Sequence, residues 1–206
     1  MSIETVTPNS AGRPRAGQHR KDLPHMNHLG TQELHTPRLT LRQIRPDDAR
    51  DLFAWMGDPE VCRWERWTPH ESADYSRGYI MAVYRYDDIR FYYWGIELDG
   101  RLIGSICVVN VDDFDEKAVM GYCLAREYWS RGYTTEAARE VLRFMFQEVS
   151  INRVEASHSI NNPASGRVLE KAGFRPEGLA KEYYRSNEGF QDSRLFGITR
   201  REYTAQ

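Results

Sequence analysis

The stretch from Val119 to Phe146 constrains the fold more than any other part of the chain. It reads as a short apolar strand, then Trp129-Ser130-Arg131-Gly132-Tyr133-Thr134-Thr135-Glu136, then an amphipathic helix. Ala138, Val141, Leu142 and Met145 recur at helical spacing, while Glu136, Arg139, Glu140 and Arg143 take the opposite face. A glycine-bearing turn between strand and helix leaves several backbone N–H groups without partners and aims them at one spot. The positive end of the helix dipole lies at the same spot, so the turn suits a phosphate or pyrophosphate. Its one acidic side chain, Glu136, belongs to the first helical turn rather than to the cradle.

The ligand follows by elimination and then by resemblance. Neither the nucleotide P-loop G-x-x-x-x-G-K-[ST] nor the dinucleotide fingerprint G-x-G-x-x-G occurs in the chain. Tyr128-Trp129-Ser130-Arg131-Gly132-Tyr133-Thr134-Thr135-Glu136-Ala137 resembles the acyl-CoA loop of the GNAT N-acetyltransferases, [QR]-x-x-G-x-[GA]. The branch it is most similar to contains the ribosomal-protein N-terminal (RimJ/RimL-like) acetyltransferases, whose text reads much like Y-W-G-[KRQ]-G-Y-[AM]-T-E-A. Ser130 stands where that branch has glycine, and Thr134 where it has alanine or glycine; both add bulk beside the expected pyrophosphate.

A second segment supports the first. Arg153 to Ile160 reads as a strand, and Asn162 then offers an N-cap, Pro163 a first helical residue and Gly173 a C-terminal stop. These residues could be capping alone. The resemblance adds a ligand reading, because N-x-x-S followed after a short helix by E-K-x-G-F is present as Asn162, Ser165, Glu170-Lys171 and Gly173-Phe174. In that family the Asn contacts the pantetheine arm of CoA, and the Ser lies close to the thiol. The resemblance covers His35 to the C-terminus and implies acetyl-CoA as cosubstrate. Its expected contacts are Leu124, Arg131, Gly132, Tyr133, Thr134, Thr135, Asn162 and Ser165.

At 206 residues the chain suits one domain with a sizeable core, here 35–206, preceded by a flexible tail over 1–34 rich in Pro, Gly, Arg and His. Net charge is −2, so no global basic field argues for nucleic acid or an anionic membrane. No apolar run is long enough to span a bilayer and no signal peptide opens the chain, which makes a cytoplasmic location the expectation. Cys62, Cys107 and Cys123 are too scattered for a disulfide framework or a zinc site, and no metal is expected. His19, His25 and His28 fall in the tail and read as solvated.

The remaining elements follow from period and punctuation. A strand is expected over Arg38–Ile44, a helix from Pro46 through Trp55 ended by Gly57, and a second helix over Ala73–Tyr86. Phe91–Leu98 and Leu102–Val109 read as strands joined by Asp99-Gly100, the strongest hairpin signal present. Residues 111–117 form an acidic loop, and a terminal hairpin turns at Asn187-Glu188-Gly189. The order β-α-α-β-β-β-α-β-α-β-β calls for an α/β (α+β) protein with a mixed sheet and helices on both faces. The same order is that of the GNAT fold, whose sheet is mostly antiparallel with a splayed strand pair holding acetyl-CoA.

The resemblance then implies direct attack of a primary amine on the thioester, with a free backbone N–H near Leu124 polarising the carbonyl. No Cys neighbours a His in a nucleophile pattern, so an acyl-cysteine route is disfavoured. A neutral amine is required, and an α-amine is neutral about one time in ten at pH 7, far more often than a lysine. The strand glutamate of many relatives is replaced by Val119. Relatives often place a functional acid on the penultimate strand, so the resemblance makes Glu182 the preferred base, with Glu116 through a water chain as the other candidate. Ser165 is the preferred acid for the CoA thiolate. Trp64-Glu65-Arg66-Trp67 is expected to wall the acceptor cleft, and Asp112, Asp113, Asp115 and Glu116 to form an anionic mouth. The acceptor is a protein N-terminus or a small amine such as an aminoglycoside, polyamine or amino acid. A non-catalytic CoA-binding sensor is the reading from another class, and the chain acts as monomer or homodimer.

Overall fold

The computed structural model describes residues 26–204, so the histidines at 19 and 25 and most of the expected tail lie outside the described residues. Eight strands form one sheet: β1 (Leu34–His35), β2 (Thr40–Arg42), β3 (Tyr92–Leu98), β4 (Arg101–Asp112), β5 (Lys117–Leu124), β6 (Arg153–Ser159), β7 (Arg175–Ser186) and β8 (Gly189–Thr199). Their spatial order is β1-β2-β3-β4-β5-β6-β8-β7, antiparallel throughout except for the β5–β6 pair. The helices are α1 (Ala49–Met56), α2 (Pro59–Cys62), α3 (Ala73–Val83), α4 (Tyr133–Phe144), α5 (Pro163–Ala172) and α6 (Arg200–Thr204). None of these is long and apolar enough to cross a membrane.

Two apolar layers sandwich the sheet, as period-2 strands between amphipathic helices require. On one face Trp94, Ile106 and Met120 meet Ala137, Val141 and Phe144 of α4 and Leu169 of α5. On the other, Leu102 and Cys123 meet Leu52, Trp55 and Met56 of α1 and Ile80 of α3. The buried Arg42 guanidinium pins the start of the α1 layer to the sheet by bonding both Asp48 oxygens at 2.8 Å and reaching Glu97 on β3.

Local chemistry explains the boundaries. Asp99 and Gly100 take φ of 50° and 80°, the mirror-image turn that suits a two-residue hairpin. Ser72 caps α3 by accepting from Tyr75 N–H at 3.0 Å. That helix stops at Val83, short of the expected Tyr86, because Tyr84 turns extended and both rings join Phe91 and Tyr93. The Tyr86 hydroxyl then accepts from Ile44 N–H at 2.9 Å. The α4 helix runs on through a π-helical turn, Met145–Val149.

The domain begins earlier than residue 35. Met26 is buried, Asn27 N–H donates to Val149 carbonyl at 2.8 Å, and the His28 ring lies between the Tyr92 hydroxyl and Asp113 at 3.1 and 2.9 Å. Residues 26–34 therefore pack as part of the domain, and His28 is an enclosed hydrogen-bonding group rather than a solvated one. The strand expected over Arg38–Ile44 shrinks to Thr40–Arg42, since only these residues pair with β3.

Candidate active site

The site begins where a pair of strands stops pairing. β5 and β6 run parallel only from Lys117↔Arg153 to Val119↔Glu155. Beyond that point β5 stays with β4 as far as Leu124↔Gly104, while β6 stays with β8 as far as Ser159↔Ser193. A wedge opens between them, and the β5 edge facing it has no strand partner. Ala125 N–H bonds across to Ile103 carbonyl at 2.8 Å, whereas Leu124 carbonyl accepts from the Trp129 indole at 2.7 Å. Backbone direction alternates along a strand, so the Leu124 peptide group faces the wedge. Gly104 lets the β4–β5 pair close tightly here, since a Cβ would come within 2.9 Å of Leu124 Cα.

The phosphate turn crowns this wedge. Gly132 is the N-cap of α4 with φ 82°, a left-handed conformation that glycine adopts without strain, and no side chain caps the helix. The N–H of Glu136 is already bonded to Gly132 carbonyl, leaving those of Tyr133, Thr134 and Thr135 as the helix-start donors. A Cβ on Gly132 would touch an Arg38 nitrogen at 3.5 Å without a clash, and Gly132, Tyr133, Thr134 and Thr135 all line a cavity. Ser130 also has positive φ, 61°, which accounts for glycine being usual there in the resembling sequences.

The one carboxylate of the turn is neutralised from behind. Glu136 accepts from the Thr36 hydroxyl at 2.6 Å, Arg38 N–H at 3.0 Å and Arg38 Nε at 2.6 Å. Burial alone would raise its carboxyl, and these hydrogen bonds outweigh that and hold it below the usual range. Arg38 also donates to Arg131 carbonyl at 3.1 Å and lies over the Tyr133 ring at 4.4 Å, tying β1 and β2 to the turn. Arg131 itself is exposed at the rim.

Helix α5 supplies the opposite wall. Asn162 accepts from Ser165 N–H at 3.4 Å as the N-cap, and Gly173 ends the helix with φ 103°. Ser165 Oγ sits 2.9 Å from the Tyr122 hydroxyl, which donates to Ser165 carbonyl at 2.9 Å. Tyr122 lines the cavity from β5 and its hydroxyl is pushed well up by burial. The sequence reading missed this residue, although strand alternation puts Tyr122 one step from Cys123 and on the opposite face.

These elements enclose a cavity of about 510 Å³. Leu124, Gly132, Tyr133, Thr134, Thr135, Asn162 and Ser165 all line it; Arg131 does not. Its remaining wall is the loop after α2, with Trp64 and Glu65 on its surface. The terminal hairpin clamps that loop: Tyr184 donates to Trp64 carbonyl at 2.9 Å, and Asn187 Nδ2 reaches the carbonyls of Cys62 and Trp67, both at 2.8 Å.

Three expectations fall elsewhere. Glu182 sits in a bulge of β7 with φ 48°, exposed, its N–H bonded to Asp192; it does not line the cavity. Glu116 lies at the β4–β5 connection, at the other end of β5 from Leu124. The acidic loop shares that end and is spent on its own contacts. Asp113 pairs with His28 and Arg90, Asp115 with Lys117 at 2.7 Å, and Asp112 caps the turn by accepting from Phe114 and Asp115 N–H. None of these carboxylates lines the cavity, so they form no anionic mouth to it.

One carboxyl does belong to the site and was not singled out as a base. Glu65 is half-buried as a residue with its carboxyl enclosed, and burial raises it to about 8, against a small pull from Arg66. Burial also pushes the Cys107 thiol up to about 12 and that of Cys123 well above its ordinary value, so neither supplies a thiolate nucleophile near neutral pH. Among the described residues no group of three or more His, Cys, Asp or Glu side chains gathers as a metal site.

Residues 38–175 match the family described as Acetyltransferase (GNAT) domain. The chain belongs to the GNAT acetyltransferase family. It is 30% identical over 179 residues to the uncharacterized N-acetyltransferase p20 of Bacillus licheniformis, covering 84% of this chain and 98% of that protein. It is 29% identical over 180 residues to the [ribosomal protein uS5]-alanine N-acetyltransferase of Escherichia coli, covering 83% and 92%. A chimera of the spermidine N-acetyltransferase SpeG from Vibrio cholerae and hSSAT has the same fold, with a TM-score of 0.69 and 20% identity over 82% of this chain and 99% of that one. This GNAT chain is thus an acetyl-CoA-dependent N-acyltransferase, consistent with the RimJ/RimL-like branch.

Proposed function

We propose that this acetyltransferase modifies a primary amine carrying a single positive charge, with a protein N-terminal α-amine as the acceptor class. The observation that carries the reading is the charge on the cavity wall. Its acidic side chains are Glu60, which pairs with Arg63, and Glu65, which burial keeps largely protonated at neutral pH, set against Arg63, Arg167 and Lys171. This excess of cations over ionised carboxylates attracts an anionic cosubstrate and repels a polycation such as a polyamine. A lone ammonium at the end of a peptide chain meets no such penalty if it is delivered to Glu65. The uS5-alanine enzyme among its relatives supports the same acceptor class.

The residues present fit acetyl-CoA, which supplies an activated acyl thioester. Tyr133, Thr134 and Thr135 line the cavity at a helix start that no side chain caps, which leaves their N–H groups for a diphosphate. Arg131 at the rim adds positive charge beside them. Asn162 and Ser165 line the path toward β5, where the arm would lie. The Leu124 N–H is placed to stabilise negative charge developing on the acyl oxygen, a contribution of about 3 kcal/mol for one such donor. Ser165 Oγ, bonded to Tyr122, is placed to return a proton to the leaving sulfur. With the Cys123 thiol on the cavity wall and the Cys107 thiol on β4 both held protonated, attack is direct and no acyl-cysteine forms.

The test is thiol release from acetyl-CoA with a panel of N-terminal peptides, spermidine, an aminoglycoside and free amino acids. Release with peptides and none with spermidine supports the reading. Preference for the polyamine overturns the acceptor class, and binding of CoA with no release from any amine marks a sensor rather than an enzyme.

A further inference from the structure

Glu65 is the one enclosed carboxyl on the cavity wall that no structural contact explains. Neither a salt bridge nor a side-chain hydrogen bond at Glu65 is found among the described residues, although an enclosed carboxylate ordinarily has such a partner. The loop holding it is not slack. Tyr184 and Asn187 fix the carbonyls on either side of it, and the Arg66 guanidinium lies over the Tyr184 ring at 4.8 Å instead of turning in. A charged group kept unpaired in a rigid wall costs stability. That cost has a reason if an ammonium is the missing partner.

Resting on the acceptor reading above, we infer that Glu65 is the catalytic base, receiving the acceptor ammonium in the cavity and taking its proton. The titratable groups around it leave it this role alone. Arg66 flanks it on its own loop, Cys62 faces it from α2, Cys107 from β4, Tyr122 and Cys123 from β5, and Tyr184 from β7. The thiols and phenols of this set are all raised by burial and stay protonated near neutrality, so Glu65, raised to about 8, is the group among them that ionises closest to neutrality and can then accept a proton. A base whose own value is lifted toward that of the amine is also the better-matched one.

The proton account closes. An acceptor ammonium carries three protons on nitrogen and the amide product one. Glu65 takes the first proton and returns it to solvent after turnover. The nitrogen lone pair then forms the C–N bond at the thioester carbonyl, the C–S bond breaks, and its electron pair leaves on sulfur. The second proton ends on that sulfur, with Ser165 and Tyr122 as its local route.

The test is the Glu65→Gln variant, assayed for thiol release with an N-terminal peptide from about pH 6 to 10, with acetyl-CoA affinity measured by calorimetry. We expect the loss in kcat to be at least about 100-fold at pH 7. The deficit should narrow as the amine deprotonates unaided at higher pH, with acetyl-CoA affinity unchanged. The deficit should also shrink for trifluoroethylamine, which is already neutral at pH 7; a merely structural role would show the same deficit with both amines. Should Glu65→Gln fail to fold, Glu65→Asp retains the carboxyl and should keep the rising limb at a reduced rate; loss of that limb in a folded Asp variant counts against the inference. A Gln variant with wild-type turnover and an unchanged pH profile overturns the role of Glu65 and leaves the acceptor reading standing. Absence of release by the wild-type protein with every amine overturns both.

Discussion

A carboxyl that titrates at 4.5 in an open chain and at about 8 in the folded protein makes stability depend on pH in a direction opposite to that of most acidic groups. The folded state keeps a proton that the unfolded chain gives up, so between those values the native protein binds more protons. Its stability is then fully present below the unfolded value and falls as pH rises through the folded one. Integrated from about pH 5 to pH 8, this loss is at most about 3.5 kcal/mol, and nearer ~2 kcal/mol once water reaches the charged carboxylate. Glu65→Gln removes the titration while keeping size and shape. The two proteins should have similar urea midpoints at pH 5, and by pH 8 the Gln variant should be the more stable by that amount. His70, lowered by burial, is common to both proteins and cancels in the difference. Stability curves that stay parallel to within about 0.5 kcal/mol across this range would show that the carboxyl is not held neutral by the fold. The measurement needs no substrate, and so it tests the environment of Glu65 separately from its chemistry.

Other perturbations test the rest of the site. Gly132→Ala forces a Cβ onto a residue at φ 82° in open space, so it should cost about 1 kcal/mol of stability without a clash, read by thermal melts. Its larger effect should be on acetyl-CoA affinity, by at least about tenfold in calorimetry, because the turn must relax away from its donor geometry. Ser130→Gly relieves a residue held at φ 61° and should stabilise the protein by about 0.5 kcal/mol, the strain relief of about 1 kcal/mol being partly offset by a freer unfolded chain. Ser165→Ala and Tyr122→Phe each break the 2.9 Å hydroxyl pair and should lower turnover far more than acetyl-CoA affinity; equal losses in both would limit the pair to binding.

Much of the site was legible because its signals are local. Gly132 and Gly173 mark helix ends through backbone conformation, Asn162 and Pro163 mark a helix start, and Asp99-Gly100 fixes a hairpin. The failures are non-local. Glu182 read as a functional acid on a strand, but the β7 bulge between Ala180 and Tyr184 shifts the register, and the residue ends exposed in that bulge. The four acids after Val111 read as an anionic patch because the partners of Asp113, His28 and Arg90, are distant in sequence. The use of Asp112 by its own turn and of Asp115 by Lys117 shows only once the turn is formed. Burial of Glu65 was illegible for a similar reason. A charged residue between two tryptophans reads as exposed, and only the return of the chain at Tyr184 and Asn187 encloses it. The same kind of distant contact, Asn27 to Val149 and His28 to Tyr92, moves the domain boundary into what composition alone marks as tail.

The geometry of β5 explains how the two halves of the reaction can meet without crowding each other. Alternation turns Tyr122 toward the α4–α5 layer, where Ser165 and the phosphate turn lie, and turns Cys123 toward the α1–α3 layer. Glu65 is held on the loop that leaves that second layer. On the proposed mechanism, leaving group and attacking nitrogen would approach from opposite faces of one strand and meet at its unpaired edge, beside the Leu124 peptide. Full pairing of β5 with β6 would seal that edge and separate the two faces. The end of pairing after Val119↔Glu155 thus provides both the hydrogen-bond donor and the passage, and any substitution that extends the β5–β6 ladder toward Leu124 should abolish turnover even with every named side chain in place.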